Sequence, residues 1–302
     1  MTRIALITAA AARNLDEDLA PLVAALGDSG AEPAVVDWDD ASVDWSRFDL
    51  ALLRSAWDYS QRLPEFLQWV DRASSATTLL NPADVVRWNT DKHYLAHLGR
   101  AGVPVVPSTF VEPGEDVRGA LAAFFAARVD EFVVKPSIGA GSRDAQRYAR
   151  EESAAAQAHI ERLLAAGRSV LLQPYLRRVD ERGETALIYF GGAFSHAIRK
   201  GPLLRRGEGP TRALFATEHI TPRAPADDEL DVATRTLAAI PFERPLLYAR
   251  VDLIHDDEGR PCVLELELTE PSLFFEHGPG SAARFAAAIL ERCARPRRAE
   301  RR

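Results

Sequence analysis

Cysteine is nearly missing from this 302-residue chain: Cys262 and Cys293 stand alone, with no CxxC pair and no Cys/His cluster. That excludes a disulfide framework and a structural zinc site. No apolar run approaches the ~18 residues of a membrane span. The N-terminal MTRIALITAA turns polar at RNLDED too soon for a secretory signal. An excess of positive charge is lacking too. Lys plus Arg total 37 against 44 Asp plus Glu, a net charge of −7, which excludes a surface built to coat nucleic acid or anionic membrane. There is no GK[ST], hence no P-loop, no dinucleotide-type GxGxxG, and no internal repeat. The expectation is a soluble, cytoplasmic, multidomain protein with no nucleic-acid or membrane partner. Its 47% apolar and 27% charged residues are an ordinary globular composition.

Lysine is the other scarcity. It occurs only at 92, 135 and 200, so the other 34 of the 37 basic residues are Arg. Such a skew replaces Lys wherever Arg will serve. A retained lysine then marks a place for a compact ammonium that a planar guanidinium does not suit. Three leftovers on a solvated surface are the alternative.

Periodicity predicts an α/β start and α+β units after it. Strands are expected at Arg3–Thr8, Pro33–Val36 and Phe48–Leu53, with helices over 16–26 and about 64–72, giving a doubly wound parallel sheet. A helix in DKHYLAHLGRAG follows, then PVVPSTF, a helix near 116–128, the strand EFVVKPS, a Gly-rich turn, a helix over 151–166 and the strand SVLLQPYL. Five strands come next: ETALIYF, AFSHAIRK, ALFATEHI, LLYARVDLIH and PCVLELEL. The last two are joined by the turn Asp256-Asp257-Glu258-Gly259. Helices near 227–239 and 281–293 cover this antiparallel sheet. The expected divisions are 1–85, 86–173, 174–295 and a disordered, Arg-rich tail at 296–302.

Two features carry chemistry. Lys135 ends a strand that runs into Ser137-Ile138-Gly139-Ala140-Gly141-Ser142. Gly139 and Gly141 allow close backbone approach, and successive N–H groups in such a turn form an anion nest. An ordinary glycine-rich turn is the alternative. Glu265 and Glu267, two apart on a strand, share a face, and the hairpin can bring Asp252 beside them. Carboxylates at ~4 Å repel by ~4 kcal/mol per pair at an effective dielectric of 20, so something positive must neutralise them. Hard oxygen ligands select Mg²⁺ or Mn²⁺. An exposed acidic strand face is the alternative.

Together these pieces resemble the ATP-grasp superfamily over about residues 81–290. In that family one lysine precedes the lid domain, a second sits on a lid strand before a glycine-rich loop, and a D…ExN-type acid set holds two Mg²⁺ ions. Here Lys92 lies in WNTDKHYLAHLGRAGVPVVPS and Lys135 in VVKPSIGAGS, followed by Asp252, Glu265 and Glu267. Glu267 replaces the family's Asn, which keeps an oxygen and adds a charge. The resemblance implies an N-terminal pre-domain, a lid and a core. It further implies an ATP site with Lys92, Lys135, Ser137, Gly139, Gly141 and Ser142 on the phosphates. Gln173, Pro174, Tyr175 and Leu176 would form the adenine hinge, and Asp180 or Glu184 would take the ribose. Lys200, Arg199 and Arg250 would face the transferred phosphate or acyl phosphate. His196, His219, His255 and His277 read as structural or solvated.

The Arg54-Ser55-Ala56-Trp57-Asp58-Tyr59 loop follows a strand of the parallel sheet, where ligands collect. Arg54 suits a carboxylate and Asp58 an ammonium, with Ser55 and Tyr59 beside them. A helix cap and an interdomain ion pair are the alternative. Glu270 and Ser272 would form the opposite wall. With LELELTEPSLFF, this loop resembles the branch that includes the cyclo-ligase forming D-cycloserine from O-ureido-D-serine. The resemblance implies a ligase that activates a small amino acid-like carboxylate as an acyl phosphate, which the substrate's own nitrogen attacks. An intermolecular ligase of glutathione synthetase or RimK type and a non-catalytic nucleotide-binding scaffold are the alternatives. A homodimer is compatible with all three.

Overall fold

The computed structural model describes residues 1–207, 209, 219–243 and 245–294. The first strand is apolar on both faces, since Ile4, Ala5, Leu6 and Ile7 are all fully buried. Strands of that kind belong in a parallel sheet covered on both sides. The sheet has the order β2-β1-β3-β4, from β1 (Arg3–Thr8), β2 (Glu32–Asp37), β3 (Leu50–Ser55) and β4 (Thr78–Leu80). Helix α1 (Leu19–Asp28) lies between β1 and β2, and α2 (Leu63–Ala76) between β3 and β4. Phe66 and Trp69 of α2 pack with Ala5, Ile7, Ala51 and Leu53 on one face. Two short helices, α3 (Ala83–Asn89) and α4 (Tyr94–Arg100), lead onward.

The second sheet is antiparallel, in the order β5-β8-β6-β7. It contains β5 (Thr109–Val111), β6 (Glu131–Pro136), β7 (Gln146–Ala149) and β8 (Val170–Pro174), with α5 (Val117–Phe125) and α6 (Ser153–Ala165) packed against it. The third sheet follows a short turn, α7 (Val179–Arg182). It is antiparallel in the order β11-β10-β9-β12-β13. Its strands are β9 (Glu184–Phe190), β10 (Ala193–Lys200), β11 (Ile220–Arg223), β12 (Tyr248–His255) and β13 (Pro261–Glu267). Helices α8 (Asp227–Ala238) and α9 (Ser281–Ala294) complete it. Ile4, Leu6 and Leu22 share a core with Phe190, Tyr248 and Phe285, so the first and third sheets are fused through α1 and α9.

The departures from expectation have local causes. The first helix starts at Leu19 rather than Asp16, because Asp16 and Asp18 form a turn closed by the Asp18 amide donating to the Asp16 carboxylate at 3.1 Å. Strand β4 and helix α3 were not anticipated. Neither was β7, whose four residues QRYA carry no alternating pattern. The expected strand ALFATEHI lies outside the described residues except for its last two, and the strand described there is Ile220–Arg223. The expected disordered tail, 296–302, also lies outside them.

Candidate active site

Strand geometry brings the acids together. Asp252 on β12 stands directly across from Glu265 on β13, and Arg250 stands across from Glu267. Alternation along both strands turns these four side chains to one face. That face closes one side of a cleft of about 1570 Å³, part of it open to solvent. The second sheet and its 139–143 loop close the other side, and Trp57 and Tyr59 reach in from the first.

All three lysines line this cleft. Lys92 Nζ lies 2.8 Å from Glu265 Oε1 and donates to the Gly139 carbonyl at 3.1 Å, bridging the acid strand to the glycine loop. Lys200 donates to Asp252 at 2.7 Å and pairs with Glu184. Arg250 binds Asp252 through Nε and Nη2, both at 2.8 Å, and also pairs with Glu267. Every acid of the set therefore has a cation, which is how the repulsion expected among them is relieved. The ordering of pKa values follows. Burial alone would raise Asp252, but Arg250 and Lys200 hold its carboxyl well below the usual range. Burial likewise opposes ionisation of Glu265, and Lys92 and Lys135 outweigh it, so it too is lowered. For Glu267, burial wins over Arg250 and lifts the group to about 7. Glu270 rises to about 8 through burial and the neighbouring Glu267 charge. Lys135 is brought down to about 8 by burial, only partly offset by Glu265.

The glycine loop has an unusual backbone. Gly141, Ser142 and Asp144 have φ of +62°, +59° and +59°, the left-handed region that costs a side-chain-bearing residue energy. Asp144 is anchored by Arg168 at 2.6 Å and Arg162 at 3.1 Å. Val133, Leu176, Leu203, Leu204, Ile254 and Leu264 supply apolar walls to the cleft, which Gln173, Pro174 and Tyr175 also line. A flat aromatic base would fit between such walls, with hinge backbone groups at its edge.

Of the sequence-predicted residues, Gly139, Gly141, Ser142, Leu176, Glu184, Tyr59, Glu270 and Ser272 also line the cleft. Six predicted residues do not line it. Arg54 is fully buried, donates to the Pro271 carbonyl at 3.1 Å and lies 3.7 Å from Asp18. Its Nε and Nη1 have no hydrogen-bond partner. Ser55 Oγ is spent on Thr8 Oγ1 at 2.8 Å. Asp58 accepts from Trp38 Nε1 at 2.8 Å and faces Arg62. Ser137 is buried behind Lys135, its amide donating to Ser169 O. Asp180 accepts from Tyr175 Oη at 2.5 Å. Arg199 turns away to the carbonyls of Arg182 and Glu181. His196 is buried, its Nε2 2.8 Å from the Leu273 carbonyl oxygen, and reads as structural.

Sequence reasoning passed over Trp57, Asn89, Arg143 and Phe274, which line the cleft. Each adjoins a motif already singled out: RSAWDY, WNTDK, GAGSR and EPSLFF. Asn89 bridges β13, donating to Leu266 O and accepting from Leu268 N, both at 2.7 Å, on either side of Glu267. Tyr94 Oη accepts from Leu266 N at 2.9 Å.

The donor set fits Mg²⁺ shared with a polyphosphate. Among the described residues no three acidic, imidazole or thiol side chains are gathered as a closed metal cage. Mg²⁺ ordinarily takes only one or two carboxylates and completes its shell with phosphate oxygens and water. Asp252, Glu265 and Glu267 would supply those carboxylates.

Residues 4–81 match the family model for the N-terminal domain of D-cycloserine synthetase DcsG. The chain is 43% identical over 295 residues to the cycloserine biosynthesis protein DcsG of Streptomyces lavendulae, covering 96% of this chain and 98% of that one. It superposes on the crystal structure of D-cycloserine synthetase DcsG with a TM-score of 0.91 at 43% identity, over 96% of this chain and 99% of that chain. It also superposes on the ATP-grasp ligase PsnB, solved with minimal precursor, Mg and ADP. There the TM-score is 0.63 at 19% identity, over 97% and 98% of the two chains. The fold is thus that of the ATP-grasp ligases. Within that class, the chain belongs to the DcsG family.

Proposed function

We propose that this protein uses ATP and Mg²⁺ to activate the carboxylate of a small amino acid as an acyl phosphate, which the substrate's own nitrogen attacks. O-ureido-D-serine is the substrate and D-cycloserine the product. One observation carries the reading: a chain with only three lysines brings all of them to a single cleft, against three acids on one strand face. The chemistry needs this arrangement. A carboxylate must approach a triphosphate, so two anions have to be held together in a site that screens their charge and excludes water. Lys92 and Lys135 are placed for the phosphates, and Arg250 and Lys200 for the group in transfer. Asp252, Glu265 and Glu267 would hold Mg²⁺, which when bound would neutralise the charge developing on the phosphates. The carboxylate oxygen bonds to the γ-phosphorus as ADP leaves. The substrate nitrogen then bonds to the acyl carbon and phosphate departs. Water then cleaves the bond between that nitrogen and its carbamoyl group, which departs as carbon dioxide and ammonia and leaves the ring N–H of the product.

Trp57, Tyr59, Glu270 and Phe274 line the cleft with Arg250, a mixed aromatic and charged lining that suits a compact zwitterion. The test is ADP release across a panel of small amino acids, with mass spectrometry of the products. The expected result is ADP and a cyclic product from O-ureido-D-serine alone. Turnover only with two amino acids together would show an intermolecular ligase. Nucleotide binding with no turnover across the panel would show a scaffold.

A further inference from the structure

The turn after the acid strand, residues 270–275, supplies Glu270, Ser272 and Phe274 to the cleft, yet little of its backbone is paired within itself. Its peptide groups are held from outside, one after another. Trp57 Nε1 donates to Glu270 O at 3.1 Å, Arg54 to Pro271 O at 3.1 Å and Arg250 to Ser272 O at 3.1 Å. The Asp18 carboxylate then accepts three consecutive amides: Leu273 N at 2.5 Å, Phe274 N at 3.1 Å and Phe275 N at 2.8 Å. Three N–H groups converging on one anion need a bent backbone, and Phe274 supplies it with φ of +52°. Asp18 and Arg54 are both buried, 3.7 Å apart. A carboxylate and a guanidinium enclosed in this way are rigid, and hydrogen bonds to charged groups are the strong ones.

We infer that Asp18 and Arg54 are positioning residues. Through a clasp between the first sheet's domain and the 270–275 turn, they fix the wall that receives the amino acid substrate, without touching that substrate themselves. The part concerning substrate rests on the function proposed above; the clasp itself does not. Arg54 is the cation in the loop where substrate recognition is expected from sequence, but it is fully buried, its Nη2 is turned to Pro271 O and Asp18, and it does not line the cleft. The clasp acts on one end only: the lysines, the glycine loop and the apolar walls are held by other contacts.

The test uses the full chain with Asp18→Asn and Arg54→Lys. Asp18→Asn keeps the shape but removes the anion, and the expected result is amide hydrogen exchange at 273–275 faster by about tenfold. Peptides covering 261–267 keep their wild-type rates. ATP affinity, read by titration calorimetry, falls by clearly less than KM rises, because Arg250 is the one cation that the turn and the acid face share. KM for the amino acid rises by about tenfold or more, with kcat falling less, as a displaced binding wall requires. Arg54→Lys keeps the charge and gives a smaller change of the same kind. Unchanged exchange at 273–275 in both variants overturns the inference. So does an equal loss of ATP affinity, which would mean general destabilisation. A large KM increase in Arg54→Lys with wild-type exchange would instead make Arg54 a substrate ligand. If Asp18→Asn does not fold, Arg54→Lys and Asp18→Glu carry the same comparison. If no amino acid is turned over even by the wild-type protein, the function proposal fails, while exchange and ATP affinity still decide the clasp.

Discussion

Lys135 is the lysine whose charge is most exposed to circumstance. Burial brings it to about 8 in the ligand-free protein, so it is cationic at pH 7 and increasingly neutral above pH 8. A group whose pKa is lowered in this way must take up a proton to meet a phosphate. ATP affinity is therefore expected to fall as pH rises from 7 to 9. Calorimetry at pH 8.5 in buffers of different ionisation enthalpy should show proton uptake on binding. In Lys135→Arg the affinity should be weaker and its fall over that range shallower, because guanidinium does not titrate there and only Glu267 and Glu270 still do. Lys135→Ala should lose about 10- to 100-fold in affinity at pH 7, the worth of a hydrogen bond to a charged partner. The lysines were legible in the sequence because rarity made each one a signal. Arg54 was legible only as a cation in a polar loop. Such a loop looks the same in sequence whether its guanidinium meets a ligand or a backbone carbonyl, and only the approach of Pro271, 217 residues away, decides between them.

At the scale of elements, long strands with strong alternation or continuous apolar runs stood out, and short ones did not. Strands β6, β9, β10 and β13 fall within the expected segments, whereas the three-residue β4 and four-residue β7 exist because neighbouring strands offer partners. Strand β13 shows why the acid face could be foreseen but not its support. It is the outer strand of its sheet, and the groups bracketing Glu267 are satisfied by a side chain instead of another strand. Asn89 does this from the end of α3. Asn89→Ala leaves the buried Leu266 carbonyl and Leu268 amide unpaired, and should cost about 2–4 kcal/mol in a urea melt. The same variant should lose ligase turnover out of proportion to that loss, because Glu267 is set by the peptide groups on either side of it. Wild-type stability would show that the carboxamide is replaceable there.

For the whole molecule, periodicity predicted a parallel sheet, then an α+β unit of unstated strand direction, then an antiparallel sheet; the sheets occur in that order, and the middle one is antiparallel too. Hidden from the sequence was the fusion of the first and third sheets. A fully apolar strand such as RIALIT requires cover on both faces without saying what provides it, and here Phe190 and Phe285 come from far along the chain. That fusion fixes Asp18 and Trp57 against the 270–275 turn that follows the acid strand. The second sheet has its own core around Phe132, Ile160 and Leu172. Its loop meets the acid face through Lys92, which touches both Gly139 and Glu265.

The pairing of Asp252 with Lys200 and Arg250, of Glu265 with Lys92 and of Glu267 with Arg250 has a consequence for how ligands enter. The acids of the cleft already have cations, so a divalent ion arriving alone would have to displace one, and a polyphosphate alone would meet Lys92, Lys200 and Arg250 already engaged. Arriving together, each supplies the counter-charge that the other strips away. Mn²⁺, followed by the electron paramagnetic resonance of the free ion, should bind at least tenfold more tightly with saturating ADP than without it. Linkage requires ADP to gain by the same factor from Mn²⁺. Independent affinities would show that the resident ion pairs offer no resistance. Otherwise, admission is by an exchange of partners in which neither guest is welcome without its companion.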